Sequence, residues 1–240
     1  MKQAVRENFD ASASAYAAYE RRTGRFRALA RLLNAEMRTR NSGPSGTVLD
    51  AGAGTGASTR ELAVENRRVL ALDASGPMLR ECTAGDPLQG DIDRLPLAGG
   101  SVDGVAFTAS LFLVPDPAVA AREAARVLGS EGVVGATAPL GWVRADGTDI
   151  FAGLERESRS PTGADEVRAA LEAEFDVATG TWRFATTAAD VRHFHAIPAM
   201  AARLYPKLPP KKRVERAREL LEPLDGTVEQ RWLWVVGTPE

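Results

Sequence analysis

An open α/β sheet with helices on both faces is the fold class this sequence predicts, and three observations predict it. Val48-Leu49 runs into Asp50 and then into a turn with alternating glycines, Gly52-Ala53-Gly54-Thr55-Gly56, with an amphipathic segment over 57–64 behind it. Apolar runs closing on an acid recur at Arg68-Val69-Leu70-Ala71-Leu72-Asp73 and at Gly90-Asp91. Helical patterns with their own caps separate the later apolar runs, the alternation that builds a parallel sheet. The length of 240 residues, 44% of them hydrophobic, suits one large α/β domain with a substantial core.

The elements follow in order. About 40 residues before the first strand read as helical, because Phe26, Leu29, Ala30, Leu32, Leu33 and Met37 fall at helix spacing between arginines. Asn41-Ser42-Gly43-Pro44-Ser45-Gly46 ends that helix and links it flexibly to the strand at 48–50. After the second strand, Ser75 caps a short helix over 76–81 whose Pro77 needs no N–H partner. Residues 101–109 form the fourth strand. Asp116 caps a helix with Pro117 at its first position, running through Glu123 and Val127 to a stop at Gly129. Residues 132–137 form the fifth strand, 148–158 and 164–174 read as helices, and 176–184 is extended with a bulge or turn at Gly180. A helical insertion over 187–221, broken by Pro198, Pro206 and Pro209-Pro210, precedes a terminal strand at 231–237.

Two cofactors compete for the glycine turn. Gly52, Gly54 and Ala57 satisfy the dinucleotide pattern G-x-G-x-x-A. A diphosphate needs helix N–H groups free of nearby negative charge, whereas Asp50 stands two residues before the first glycine. S-adenosylmethionine carries an ammonium and a sulfonium and no phosphate, so the acid favours it over NAD. Asp73, at the end of the second strand, suits the ribose hydroxyls of either cofactor. Met78 faces the ligand or the core. Asp91 is an acceptor for the exocyclic amine of adenine, with Ile92 packed on the ring, or a plain turn aspartate.

The segments VLDAGAGTG, LALDASGPML, GDIDRLPLAGGSVDGVAFTASLFLVPDP and REAARVLGSEGVVGATAP resemble those of class I S-adenosylmethionine-dependent methyltransferases. The similarity covers roughly residues 9–138 and is greatest to the small-molecule group that includes the ubiquinone and menaquinone C-methyltransferases. It implies a Rossmann-like sheet of seven strands in the order 3-2-1-4-5-7-6, the last antiparallel. It also implies that Asp50, Gly52 and Gly54 line the methionine end, that Asp73 lies at the ribose, and that Asp91 with Ile92 lies at the adenine; Ala74 and Met78 are expected among the cofactor-binding residues. Phe107 and Thr108 match the position under the cofactor, where many relatives carry Ser-Asn. Phe9-Asp10-Ala11-Ser12-Ala13-Ser14-Ala15-Tyr16 resembles the family's N-terminal signature, which implies a lid with Tyr16 reaching the methionine carboxylate; Phe9 and Tyr16 as simple helix anchors fit the residues equally. The expected organisation is a lid over 1–44, a cofactor-binding core over 45–186 and 222–240, and a substrate cap over 187–221.

Composition excludes several classes. Thirty basic against 32 acidic residues, a formal net charge of −2, give no field for nucleic acid. No apolar run approaches the roughly 18 residues of a membrane span, and no signal-peptide pattern opens the chain. Cys82 is the lone cysteine, so no cysteine zinc site or intrachain disulfide forms. A cytoplasmic monomer or homodimer without a metal is the expectation. The expected reaction is methyl transfer to a small, largely apolar acceptor by in-line displacement, which asks the protein for alignment and exclusion of water. A base is needed only if the acceptor loses a proton. His193 and His195 are the two histidines and point to different helix faces, so at most one serves the substrate. A non-catalytic sensor that binds the cofactor, and an NAD-dependent oxidoreductase, are the competing readings.

Overall fold

The strands order themselves as β3-β2-β1-β4-β5-β7-β6 in a seven-stranded sheet. The computed structural model describes residues 2–40, 46–64, 66–152 and 162–239. Helices α1 (Lys2–Asp10), α2 (Ala13–Thr23) and α3 (Arg25–Met37) precede β1 (Gly46–Ala51). Then come α4 (Ala57–Leu62), β2 (Arg67–Asp73), α5 (Gly76–Glu81), β3 (Asp86–Gln89) and β4 (Val102–Phe107). A 3-10 turn at Leu111–Leu113 leads to α6 (Pro117–Val127), β5 (Leu128–Arg144) and α7 (Ala164–Glu172). β6 (Asp176–Thr187), α8 (Ala188–His195), α9 (Pro198–Leu204), α10 (Pro210–Leu221) and β7 (Thr227–Thr238) complete the chain. β7 runs antiparallel to both β5 and β6, while the neighbours β3, β2, β1, β4 and β5 pair in parallel. Both the order and the reversed last strand are those the resemblance implied.

Side chains of a strand alternate between faces, and each face has its own helices. Val48, Val69, Ala106 and Val133 pack with Leu33 and Met37 of α3 and Leu62 of α4. Leu49, Ala51, Val105 and Phe107 point the other way, into the core shared with α6 and α7. Caps fix where helices begin: Asp116 accepts from the Ala118 N–H at 3.0 Å, and Ser75 Oγ accepts from the Met78 N–H at 3.2 Å. Glu123 and Arg126 pair at 2.7 Å, and both hold the loop at 95–97, Glu123 accepting from the Leu95 N–H and Arg126 donating to the Leu97 carbonyl. No helix among the described residues is long and apolar enough to cross a membrane.

Three expectations need correction. β5 starts directly after α6 and runs 17 residues, far past the strand read at 132–137. Its outer part survives because β7 pairs with it as far as Arg144↔Val228, so an edge that looked like a loop is a ladder. Residues 148–152 are not helical; Asp149 bridges back to Val143 and its carboxylate accepts the Phe151 N–H at 2.8 Å, which turns the chain. The remainder of that expected helix, 153–158, lies outside the described residues, as do 41–45 of the linker. Gly180 neither bulges nor turns β6; it makes room for the Trp234 ring, which a Cβ would meet at 2.6 Å.

Helix α3 closes its face of the sheet with Leu33, whose side chain is fully buried, while Leu32 beside it is 37% exposed. Leu33→Ala should lower the free energy of unfolding by about 2–5 kcal/mol through lost contact and a residual cavity. Leu32→Ala should change it by less than about 0.5 kcal/mol. Urea denaturation of the two variants checks the contrast.

Candidate active site

The glycine turn after β1 is built around its neighbours. Gly52 and Ala53 both donate their N–H to the Leu72 carbonyl, at 2.8 and 2.9 Å, which ties the turn to the end of β2. Gly52 sits at φ +86°, and a Cβ there would lie 2.4 Å from Ser110 Cβ. Ser110 Oγ in turn donates to the Ala51 carbonyl at 2.5 Å. Gly54, at φ +56°, donates its N–H to Asp73 Oδ2 at 2.8 Å, and the Ser75 N–H reaches Asp73 Oδ1 at 2.8 Å. Burial raises the Asp73 carboxyl above the usual range against these two N–H groups, and the Asp10 carboxylate adds to the rise. Asp10 itself accepts from Ser75 Oγ at 2.5 Å, which fastens the end of α1 to the cap of α5.

A cleft of about 960 Å³ opens over this turn. Of the residues expected at a cofactor, Gly52, Gly54, Asp73, Ala74, Met78, Asp91, Ile92, Thr108 and Tyr16 all line it. Asp50 and Phe107 do not. Asp50 is wholly buried on the α4 face, where its Oδ2 accepts from Ser58 Oγ at 2.7 Å and Thr59 Oγ1 at 2.6 Å. Its Oδ1 has no hydrogen-bond partner among the described residues. Burial pushes this carboxyl up to about 6, against the two hydroxyls. Phe107 is the last residue of β4 and keeps the strand's alternation, so it joins the core, and Thr108 is the first side chain free to turn towards the cleft.

Sequence reasoning missed Thr55, Ser58, Ala109 and Ser110 in the lining, and Val5 and Arg6 from α1. Ala109 is the most informative of these. It adopts φ +56°, a left-handed conformation uncommon outside glycine and costing on the order of 1–3 kcal/mol. Its N–H is held by Thr137 Oγ1 at 2.9 Å. The chain thereby leaves β4 sharply. A strand followed by Thr-Ala-Ser gave no sign of it.

A second cavity of about 1220 Å³ adjoins the first, and Phe9, Tyr16, Phe26, Ala109 and Leu113 line both. Tyr16 stacks on Phe26 with centroids 4.9 Å apart. Burial raises its phenol well above the ordinary tyrosine value and the nearby Glu20 carboxylate adds to this, so it stays neutral at neutral pH. Glu20 is committed elsewhere, accepting the Phe26 and Arg27 N–H groups at the start of α3. The second cavity takes Phe112, Trp142, Phe151 and Phe194 into its lining, whereas Trp182 stacks on Trp234. His195 lines it and is buried. His193 does not; it is exposed, its Nε2 bonded to Arg22.

The comparisons agree with this geometry. Residues 49–135 match the family model described as a methyltransferase domain. The chain is 43% identical over 86 residues to a demethylmenaquinone methyltransferase of Mycolicibacterium vanbaalenii, covering 35% of this chain and 38% of that protein. It is 40% identical over 107 residues to a malonyl-[acyl-carrier protein] O-methyltransferase of Pectobacterium atrosepticum, covering 42% of this chain and 40% of that protein. The chain thus spans about two fifths of the length of these curated relatives. Among solved structures, the YcgJ protein of Bacillus subtilis superimposes with a TM-score of 0.61 at 16% identity, covering 89% of this chain and 98% of that one. A possible histamine N-methyltransferase of Thermotoga maritima does so at 0.56 and 16%, covering 98% and 100%. These likenesses bear out the fold, and the matched domain bears out the resemblance to methyltransferases that use S-adenosylmethionine.

The cleft fits that cofactor. Its lining carries the carboxylates Asp73 and Asp91, and Arg6 at its mouth is the one cation among the described lining residues, an environment that suits a nucleoside bearing positive charge and opposes a diphosphate. Glycine backbone and the apolar Ile92 and Met78 leave room for flat rings.

The buried Asp50 gives a pH signature. Because its folded value of about 6 lies above the ordinary 3.8, its contribution to stability is intact below about pH 4 and is lost as pH rises through 6. Asp50→Asn removes that loss and puts an amide N–H₂ in place of the orphaned oxygen. Its stability relative to the unsubstituted protein should climb between about pH 4 and 6 and level off, by on the order of 3 kcal/mol. Chemical denaturation at a series of pH values measures this.

Proposed function

We propose that the protein, whose residues 49–135 match a methyltransferase domain, transfers a methyl group from S-adenosylmethionine to a small, largely apolar acceptor. The observation that carries the reading is the pair of adjoining cavities, one over the glycine turn and one with aromatic walls, meeting at Tyr16, Phe26, Ala109 and Leu113. The cofactor supplies a methyl group already activated on a sulfonium, so the chain's part is placement. Asp73 offers its two oxygens to the ribose hydroxyls, each oxygen keeping a lone pair beside the N–H bond it accepts. Ile92 and Met78 pack the adenine, and Asp91 at the rim accepts from its amine.

The organisation of the chain serves the same end. Residues 1–44 act as a lid, since α1 contributes Val5, Arg6 and Phe9 to the cleft and Tyr16 of α2 stands at the junction. Residues 187–221 act as a cap, contributing Phe194, His195, Met200 and Arg203 to the second cavity. The core over 45–186 and 222–240 holds the cofactor. Enclosure of this kind excludes water and aligns donor with nucleophile, the main requirements of displacement at carbon. The acceptor is a small molecule, suited to a concave site with aromatic walls and few polar groups.

Calorimetry with S-adenosylhomocysteine and NADH tests the reading. S-adenosylhomocysteine should bind and NADH should not; the reverse would make the chain an oxidoreductase. Asp73→Ala should weaken S-adenosylhomocysteine by about 1.5–3 kcal/mol for each charge-assisted bond lost, roughly ten- to a hundredfold. Failure to release S-adenosylhomocysteine from S-adenosylmethionine with every phenol, quinone and acid offered, despite intact binding, would point to a sensor.

A further inference from the structure

Two buried polar groups of β7 belong to the wall of the second cavity and make no hydrogen bond. Gln230 and Trp232 stand two residues apart on the strand, so they share a face, and both line the cavity. Each is 2% exposed. Gln230 Oε1, an acceptor, and Trp232 Nε1, which can only donate, have no partner among the described residues. The ladder explains why. Gln230 lies between Trp142 of β5 and Phe184 of β6, and Trp232 between Pro139 and Trp182. None of these four side chains carries an acceptor for the indole N–H. Buried polar groups are nearly always paired, so two left open on one cavity wall call for a partner from the cavity itself. The rest of the lining is flat and electrically balanced. Trp142, Phe151 and Phe194 supply rings, and Trp232 meets Phe112 edge-on with centroids 6.4 Å apart. Asp149 and Arg203 are the acidic and basic side chains among the described lining residues, one of each sign.

We propose that the acceptor is a flat, neutral ring system containing a cyclic amide, whose adjacent N–H and C=O are read by Gln230 and Trp232. The inference rests on the methyltransferase reading and names the substrate class of that same site. The ring N–H donates to Gln230 Oε1, and the ring carbonyl accepts from the indole N–H of Trp232. A carboxylate has no proton for Gln230 Oε1 and brings a net charge into a balanced lining. A lactone lacks the donor as well, and a hydrocarbon leaves both groups unpaired. Residues two apart on a strand are separated by about 6.6 Å, a span suited to two neighbouring ligand atoms better than to one hydroxyl oxygen. Gln230 and Trp232 thus determine specificity and take no part in making or breaking bonds.

Two isosteric probes test it. Coumarin and 2-quinolinone share their shape and their carbonyl, and differ by a ring oxygen in place of a ring N–H. Equilibrium dialysis measures the binding of each to the protein saturated with S-adenosylhomocysteine. The quinolinone should bind about tenfold tighter than coumarin. In Gln230→Met, which keeps the side chain's length and removes its amide, the two should bind within about twofold of each other. In Trp232→Phe both should weaken by a similar factor, because the carbonyl they share loses its donor, and the preference should remain. Unchanged affinity for S-adenosylhomocysteine shows each variant to be folded. Equal binding of the two probes by the unsubstituted protein overturns the proposal and leaves the two groups to ordered water. A preference that survives in Gln230→Met overturns it too, as does a quinolinone that fails to bind. An unsubstituted protein that does not bind S-adenosylhomocysteine would sink the methyltransferase reading, and the proposal with it.

Discussion

A carboxylate buried in the middle of the sheet governs the rest of the site. Asp50 stands between Ala71 of β2 and Ala106 of β4, two side chains small enough to leave it space, and it points to the α4 face as Val48 does. There it draws Ser58 and Thr59 onto one oxygen. Both hydroxyls belong to the first turn of α4, so the bond pair sets the distance between the end of β1 and the start of the helix. The glycine turn fills that distance. Charged-group burial is costly, and the raised carboxyl value shows the cost is only partly offset. The strand end, the turn and the helix are therefore one unit, with Asp73 attached to it through the Gly54 N–H.

The covers over the two cavities are tied to each other as much as to the sheet. Ser12 Oγ accepts the Ala199 N–H at 2.9 Å, joining the N-terminal helices to α9. Asn8 accepts from Arg213 of α10 at 3.2 Å, and Arg22 of α2 pairs with Asp190 of α8. The aromatic contacts follow the same seam, with Tyr19 of α2 5.2 Å from Phe194 of α8. Segments almost 190 residues apart in sequence thus close one surface.

Much of the fold was legible because its signals are local. A strand ending in an acid, the glycines of the tight turn behind it, and a proline behind a capping aspartate each declare themselves within a few residues. The part of the cleft contributed by strand ends was legible for the same reason: Gly52, Gly54, Asp73, Asp91 and Ile92 each occupy a punctuated position. What stayed hidden depends on direction or on distant pairing. Asp50 and Phe107 were read as ligand contacts because both lie near strand ends, yet each is still inside its strand and obeys the two-residue alternation into a covered face. Thr108 lies one residue beyond, and that single step separates core from cleft. The outer half of β5 was illegible because β7, 90 or so residues later, is what makes it a strand. The left-handed Ala109 had no signal, since alanine is compatible with every element.

The ladder between β5 and β7 has a hitch whose reach extends beyond the sheet. Pro139 faces Trp232 and Gly141 faces Arg231, so Leu140 is a supernumerary residue, and it is 47% exposed. Paired residues share a face. The hitch is what places Trp142 opposite Gln230 on the cavity side; in an unbroken ladder it would stand opposite Glu229 and look the other way. Residues 133–139 keep phase with the parallel sheet, and 141–144 run one beat out of phase with it. The aromatic wall exists by that offset. A single residue gained or lost between Pro139 and Trp142 would exchange interior for exterior along the whole outer ladder, while the helices above could lengthen or shorten without altering which way the floor faces.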